Sequence, residues 1–97
     1  MVRLGQNFLA DPNLLDAIVR ESGVGAGDVV LEVGGGEGAL SARLAPLVDR
    51  LWVVELDDRL RPALERVGAE HANLEVVWGD AMKIDMGRLE PSPTAMV

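Results

Sequence analysis

Nearly continuous apolar runs recur at three places along the chain. They span residues 29–33 (VVLEV), 51–56 (LWVVEL) and 74–78 (LEVVW). Runs of this length without regular polar alternation are typical of parallel strands that are buried on both faces. The pattern therefore predicts three strands. The charged residue inside the first run, Glu32, is unusual for so buried a position.

Three stretches with helical spacing of apolar residues lie before and between these runs. The first is predicted to begin at Asp11-Pro12, because aspartate caps free N–H groups and proline is tolerated in the first turn, and to end at Gly23. Pro46 is expected to kink the second helix or end it early. Asp57 or Asp58 is expected to cap the third. The apolar stripes are Leu14, Leu15, Ile18 and Val19; Leu40, Leu44, Leu47 and Val48; and Leu60, Leu64 and Val67.

The alternation of strands with helices is typical of an α/β fold with a parallel sheet and right-handed crossovers. Residues 82–94 have no regular period and lead to a last apolar triplet, Ala95-Met96-Val97. A chain of 97 residues is long enough for one small domain at most. We therefore predict one partial α/β domain, residues 1–97, that stops where a fourth strand enters the sheet.

The composition excludes several kinds of chemistry. The chain has no cysteine, which excludes disulfides and cysteine-bound zinc, and its one histidine, His71, cannot form a histidine-cluster metal site. Sixteen acidic against nine basic residues give a formal net charge of −7, the wrong sign for a protein that binds nucleic acid unaided. Because there is no long apolar span or basic-then-apolar leader, we expect no membrane association and a cytoplasmic location.

The first predicted strand runs directly into a glycine-rich loop (GGGEG) and then into the second helix. Such a turn presents backbone N–H groups with no Cβ in the way, which suits a flat or anionic ligand. The pattern G-x-G-x-x-A from Gly34 to Ala39 satisfies the dinucleotide-binding fingerprint. The pattern E-x-G-x-G-x-G from Glu32 to Gly38 resembles the first motif of class I S-adenosylmethionine-dependent methyltransferases. The loop alone leaves both cofactors open.

Carboxylates lie at the ends of the other two predicted strands. The carboxyl ends of parallel strands share the sheet edge at which α/β proteins bind ligands. Glu55 lies 21 residues after Gly34 and suits the two ribose hydroxyls of an adenosine, and Asp80 suits an adenine amino group. Taken singly, Glu55 can be a charge beside a helix start and Asp80 a turn residue. Their coincidence with the loop favours a ligand site.

Four segments together resemble the KsgA family of ribosomal RNA adenine dimethyltransferases, over essentially the whole chain. They are LGQNFL at 4–9, VLEVGGGEGAL at 30–40, VVELD at 53–57 and GDAM at 79–82. The resemblance implies the N-terminal half of a Rossmann-like class I methyltransferase fold, with a parallel three-stranded sheet of order 3-2-1 and flanking helices. It also implies S-adenosylmethionine as cofactor and dimethylation of N6 on two adjacent adenines of small-subunit (16S) rRNA. Macrolide-resistance rRNA methyltransferases and mitochondrial transcription factors share parts of the pattern.

By position, the resemblance implies that six residues bind S-adenosylmethionine: Asn7, Leu9, Gly34, Gly36, Glu55 and Asp80. The first two would contact the cofactor from the N-terminal segment, and Gly34 would lie beside its methionine part. The two acids would hold its ribose and its adenine. The chain departs from the family at Gly35, where the family often has proline.

The residues that act on the target adenine are missing. The family's N-[LIV]-P-Y motif, which accepts hydrogen bonds from the amine and stacks the base, is absent, and the chain has no tyrosine. The resemblance implies that this motif follows shortly after Val97, and that a C-terminal helical domain helps to bind rRNA or the pre-30S particle. We therefore predict no catalytic residue in this chain and no RNA methylation by it alone.

The same truncation predicts an unpaired edge on the first strand, and hence self-association through that edge or through residues 95–97. Trp52 and Trp78 are expected in the core or exposed by the cut. Two alternative functions stay open at this point. One is an NAD-binding oxidoreductase half-domain, and the other is a non-catalytic interaction module of methyltransferase fold.

Overall fold

A computed structural model describes residues 11–97, and a parallel sheet of four strands forms its centre. The strands lie in the order β3-β2-β1-β4 and are Val29–Val33 (β1), Arg50–Glu55 (β2), Leu74–Trp78 (β3) and Ala95–Met96 (β4). The register pairs Val33 with Val54 and Glu55 with Trp78. The carboxyl ends of β1, β2 and β3 therefore reach one edge of the sheet, and the predicted α/β fold and 3-2-1 order are confirmed.

Three helices precede or connect the strands: α1 at Pro12–Ser22, α2 at Ala39–Leu44 and α3 at Arg61–Glu70. Short 3₁₀ turns occupy Ala45–Leu47, Asp58–Leu60 and Met86–Arg88. Each helix coincides with one of the predicted apolar stripes. Within the described residues, no helix has the length and apolar character needed to cross a bilayer.

The helix boundaries follow the local signals of the sequence. Asp11 Oδ1 accepts the Asn13 N–H at 2.9 Å at the start of α1, and Gly23 ends that helix with φ of +70°. Pro46 lies in the 3₁₀ turn that replaces the next turn of α2, because proline lacks an N–H and crowds the preceding turn. Asp57 Oδ1 accepts the Arg59 N–H at 3.0 Å and so begins the turn that leads into α3.

The prediction of three strands with an unpaired edge on β1 is wrong, because β4 covers that edge. The Val97 N–H donates to the Leu31 carbonyl at 2.9 Å, and the Thr94 N–H donates to the Val29 carbonyl at 2.7 Å. The Thr94 hydroxyl oxygen also accepts the Val29 N–H at 2.9 Å. These bonds satisfy backbone groups of β1 that would otherwise be unpaired. The edge strand on this side of the sheet is therefore β4.

Alternate residues of the strands form separate apolar clusters. One includes Val30, Leu44, Leu51, Val53 and Leu64, so it joins the sheet to α2 and α3. The other includes Val29, Leu31, Trp52, Val54 and Leu89, the last from the irregular segment after β3. The indole N–H of Trp52 donates to the Pro91 carbonyl at 2.9 Å, which fastens that segment to the sheet. Trp52 is therefore a core residue as predicted, and Trp78 is half-buried against the first cluster.

Candidate functional site

The glycine loop turns the chain sharply from β1 into α2. Gly34, Gly36 and Gly38 have φ angles of +80°, +57° and +92°, a left-handed conformation that residues with a Cβ rarely adopt. A Cβ atom on Gly34 or Gly36 would meet nothing within 4 Å, so the backbone is open there. The Gly34 N–H donates to the Val54 carbonyl at 2.8 Å and anchors the loop to β2. The loop thus offers a bare, fixed backbone surface to a ligand.

The other glycines of the loop are required for packing. A Cβ on Gly35 would lie 2.5 Å from Val53 Cγ1, and a Cβ on Gly38 would lie 2.6 Å from Val67 Cγ2. Both distances are far shorter than van der Waals contact between carbon atoms. Val53 therefore occupies the space that a larger residue at position 35 would need. Packing thus explains why glycine is found here, where the family often has proline.

Glu55 joins the end of β2 to the glycine loop. Its Oε1 accepts the Gly36 N–H at 3.0 Å and its Oε2 accepts the Asp57 N–H at 2.9 Å. The residue is 8% exposed, so these charge-assisted bonds are formed largely out of water. The structure thus brings together Gly36 and Glu55, which the sequence predicted as parts of one site.

Glu32 is the second buried acid near the loop. It is 2% exposed, and the hydroxyl of Ser41 on α2, itself fully buried, donates to its Oε1 at 2.6 Å. Burial raises the pKa of Glu32, the hydrogen bond from Ser41 opposes this rise, and the negative charge of Glu55 adds to it; the resulting pKa is about 7. Glu32 and Val30 are two residues apart on β1, so their side chains lie on the same face of the sheet, the one covered by helices.

Asp80 lies in the turn after β3. Its Oδ1 accepts the Met82 N–H at 2.9 Å, an arrangement typical of turn aspartates. The Gly79 N–H donates to the Glu55 carbonyl at 2.9 Å, so the ends of β2 and β3 are adjacent. Beside the acids, Leu56 is 69% exposed and Met82 is 92% exposed. Neither of these two apolar side chains was predicted as part of the site, although large apolar residues next to acids at strand ends were the available signal.

A cavity of about 590 Å³ opens above the loop. Its wall includes Gly34, Gly36 and Glu32, with Ile18 of α1 and Leu40 of α2 as apolar parts. This volume lies within the range of small-molecule sites, roughly 300–1,000 Å³. Among the described residues that form the wall, neither Glu55 nor Asp80 is found.

An ion pair lies at the border of this cavity. Arg59 Nη2 is 2.8 Å from Asp57 Oδ2, and both residues contribute to the wall. Hydrogen bonds from Arg59 hold the pKa of Asp57 below its usual range. The wall therefore combines apolar residues, bare backbone and a few charged groups. Of the six predicted binding residues, Asn7 and Leu9 lie outside the described residues.

The sequence matches a known family over nearly all of its length. Residues 2–92 match the family model described as "Ribosomal RNA adenine dimethylase". The chain belongs to this family. The match agrees with the resemblance read from the four sequence segments, and it favours a methyltransferase over the nicotinamide-binding alternative.

Curated relatives and solved structures of rRNA methyltransferases are both similar to this chain. A Methanococcus maripaludis protein named "Probable ribosomal RNA small subunit methyltransferase A" is 42% identical over 87 residues, which cover 90% of this chain and 33% of the relative. A dimethyladenosine transferase from Plasmodium falciparum superposes with a TM-score of 0.71 at 32% identity, covering 77% of this chain and 28% of that one. The 23S rRNA methyltransferase ErmE superposes with a TM-score of 0.73 at 32% identity, covering 80% and 32%. The chain spans about a third of the length of the curated relatives it matches.

Proposed function

We propose that this chain is the S-adenosylmethionine-binding part of an enzyme that dimethylates N6 of adenines in ribosomal RNA. The observation that carries the proposal is the junction of Glu55 with the Gly36 N–H, 3.0 Å apart, at the carboxyl edge of the sheet. Rossmann-like sheets bind their ligands at this edge. When bound, S-adenosylmethionine supplies a methyl group activated on a sulfonium, and the protein supplies binding and orientation.

The residues of the site fit this cofactor. The open backbone at Gly34 and Gly36 lets the methionine part approach closely. An ionised carboxylate has about four acceptor positions. Backbone N–H groups use two of those of Glu55, so two are left for the ribose hydroxyls. Asp80 is assigned to the adenine amino group, with the exposed Leu56 as an apolar surface beside the ring.

Asn7 and Leu9 complete the proposed binding set. The support for them is their position in the LGQNFL segment, which lies within the family match over residues 2–92. We assign both to contacts with the cofactor from the N-terminal segment. Substitution of either is expected to weaken cofactor binding.

The proposed substrate is small-subunit rRNA, alone or within the pre-30S particle, and the proposed location is the cytoplasm. The support is the name of the Methanococcus relative and the family description. The net charge of −7 disfavours RNA binding by residues 1–97 alone. We therefore assign residues 1–97 to the cofactor part of the domain, with RNA binding and the N-[LIV]-P-Y motif in further sequence, and expect no methyl transfer from this chain by itself.

Calorimetric titration tests the cofactor assignment. We expect saturable binding of S-adenosylmethionine and no binding of NADH. Glu55→Ala is expected to weaken cofactor affinity about 10- to 100-fold, since each charge-assisted hydrogen bond contributes roughly 1.5–3 kcal/mol. Glu70→Ala, which removes an exposed acid at the end of α3, is the matched control and should bind like the parent chain.

The outcomes separate the functional classes. Binding of NADH in place of S-adenosylmethionine would support the oxidoreductase alternative. Binding of neither, by a chain whose circular dichroism and thermal transition are those of a folded protein, would support the non-catalytic interaction module. Equal cofactor affinity in Glu55→Ala and Glu70→Ala would contradict the role given to Glu55.

We also propose that the chain self-associates through the edge of β4. The structure assigns β4 to one end of the sheet, where its outer backbone groups are available to another strand. Met96 within β4 is 70% exposed and adds apolar surface to that edge.

A further inference from the structure

Glu32 has no part in the cofactor contacts assigned above, although it lies in the wall of the same cavity. It is 2% exposed, and a carboxyl group in such a place is costly to ionise. Its partner Ser41 is 0% exposed and bonds Glu32 Oε1 at 2.6 Å. A buried acid held by a single buried hydroxyl beside a ligand cavity calls for a functional explanation.

We propose that Ser41 is a positioning residue for the Glu32 carboxyl group, and that this group selects ligands by charge, losing its proton to solvent when a cationic ligand enters the cavity. The inference rests on the proposed function, because S-adenosylmethionine carries both a sulfonium and an ammonium. It extends that function by assigning two further residues. The carboxyl group of Glu32 responds to the charge of the ligand, and Ser41 controls the ionisation of Glu32.

The geometry gives Ser41 two effects. It lies in the first turn of α2, directly after the glycine loop, so its hydroxyl reaches back to the end of β1. The bond fixes one carboxyl oxygen and leaves the other for the cavity that Glu32 lines. A hydroxyl that donates to a carboxylate also stabilises the charged form, so Ser41 keeps Glu32 ionisable despite its burial.

The charges around Glu32 are predominantly negative. Burial opposes its ionisation most strongly and Glu55 on β2 adds to this; with the opposing hydrogen bond from Ser41, its pKa is about 7. β4 contributes no titratable side chain. The other charged side chains that line the cavity are Glu37, Asp57 and Arg59. The adjoining helices carry further charged residues: Asp16, Arg20 and Glu21 on α1, Arg43 on α2, and Arg61, Glu65, Arg66 and Glu70 on α3.

The sign of the linkage follows from these surroundings. In the empty cavity Glu32 holds a proton through much of the range below neutrality. A cation bound nearby favours the carboxylate and lowers its pKa, so binding releases a proton and the affinity rises with pH. The ligand's ammonium titrates only near pH 8, so it stays charged below neutrality. We expect an increase of about tenfold or more between roughly pH 5.5 and 7.5.

Calorimetry of the 97-residue chain across this pH range, in buffers of different ionisation enthalpy, measures both affinity and proton release. S-adenosylmethionine is the cationic probe, and 5′-deoxy-5′-methylthioadenosine is a neutral probe with the same adenosine. We expect rising affinity with proton release for the first, and neither effect for the second. Glu32→Gln should abolish the pH dependence, and its exposed control Glu65→Gln should keep it.

Ser41→Ala gives the signature of a positioning role. Loss of its hydrogen bond raises the pKa of Glu32, so the pH profile of cofactor affinity should move to higher pH. Ser41→Thr, which keeps the hydroxyl, should restore the parent profile. Ser22→Ala is the matched control, because the Ser22 hydroxyl donates within α1 to the Val19 carbonyl at 2.6 Å. A carboxyl-carbon NMR titration of Glu32 reads the same shift without any ligand.

Calorimetry tests the charge selection, and the NMR titration tests the role of Ser41 separately. Cofactor binding that is independent of pH, or equal for the cationic and neutral probes at every pH, would overturn the charge selection while leaving the proposed function intact. A Glu32 titration that is unchanged in Ser41→Ala would overturn the role of Ser41. Absence of cofactor binding at every pH would contradict the proposed function and charge selection together, while the NMR titration would still decide the role of Ser41.

Discussion

Two acids at the carboxyl edge of the sheet have similar burial but different partners. Glu55 accepts two backbone N–H groups, whereas Glu32 accepts one hydroxyl from Ser41. Backbone N–H groups stabilise a carboxylate strongly, and a single hydroxyl does not offset nearly complete desolvation. The pKa of Glu32 accordingly rises to about 7. Glu32 therefore destabilises the folded chain once the pH is high enough to ionise it.

Replacement of Glu32 by glutamine should stabilise the chain in a pH-dependent manner. Between the ordinary glutamate pKa and about 7, the folded state binds more protons than the unfolded state, so stability falls as pH rises through this range and levels off above it. Glu32→Gln removes this loss. Its gain in unfolding free energy over the parent should grow from near zero at about pH 4.5 to about 3 kcal/mol at about pH 8.

Urea denaturation at both pH values measures the difference. Glu65→Gln on the exposed face of α3 is the control and should show no such trend. An equal effect of Glu32→Gln at the two pH values would mean that Glu32 is not the group that titrates.

At the scale of elements, one side chain connects the turn after α2 to the start of β3. Asn73 Nδ2 donates to the Ala45 carbonyl at 2.8 Å and to the Val48 carbonyl at 3.1 Å. The backbone carbonyl of Asn73 accepts the Leu51 N–H at 2.9 Å. The turn contains Pro46 and cannot complete regular helical bonding, so the asparagine amide satisfies carbonyls that the broken helix leaves over.

Removal of this amide should destabilise the chain. Asn73→Ala leaves the two carbonyl groups without their donor, and each such loss is worth about 1–3 kcal/mol when the group is buried. We expect a decrease of about 2 kcal/mol in unfolding free energy, measured by urea denaturation. Asn13→Ala on the exposed side of α1 is the matched control and should change stability by less than about 0.5 kcal/mol. Similar decreases in unfolding free energy for Asn73→Ala and Asn13→Ala would contradict the stabilising role of the Asn73 amide.

At the scale of the whole molecule, the sheet ends in a strand of two residues. β4 pairs with β1 on one side, and the register places Ala95 beside Val30 and Met96 beside Leu31. The outer side of an edge strand presents unpaired backbone N–H and C=O groups to a second chain. The acidic net charge of −7 opposes association, so self-association should strengthen when salt screens it.

Sedimentation velocity over a range of protein concentrations tests self-association through β4. We expect a concentration-dependent dimer or larger species that is abolished by Met96→Lys, since a lysine on an edge strand disfavours pairing. Met82→Lys is the matched control, because Met82 is 92% exposed but lies away from β4. A parent chain that stays monomeric at high concentration and high salt would contradict the proposal.

Local sequence was sufficient for most of the secondary structure. Asp11, Gly23 and Pro46 act on the residues next to them, and the strands are continuous apolar runs, so their positions could be predicted without knowledge of the fold. The parallel order of β1, β2 and β3 followed from the same alternation and from the family resemblance. The start of a fourth strand at the end of the chain was predicted, but its pairing with β1 was not, because two residues have no period of their own and are held by bonds to β1.

The order of the residues along the chain establishes which groups are available for the site: a loop of glycines and acids at the ends of consecutive strands. Tertiary structure decided how they are used. The bond of Glu55 to Gly36, nineteen residues apart, depends on the register of β1 with β2. The bond of Ser41 to Glu32 depends on how α2 packs on the sheet. Strand register and helix packing are collective results of burying the whole core, so neither contact can be read from the residues that make it.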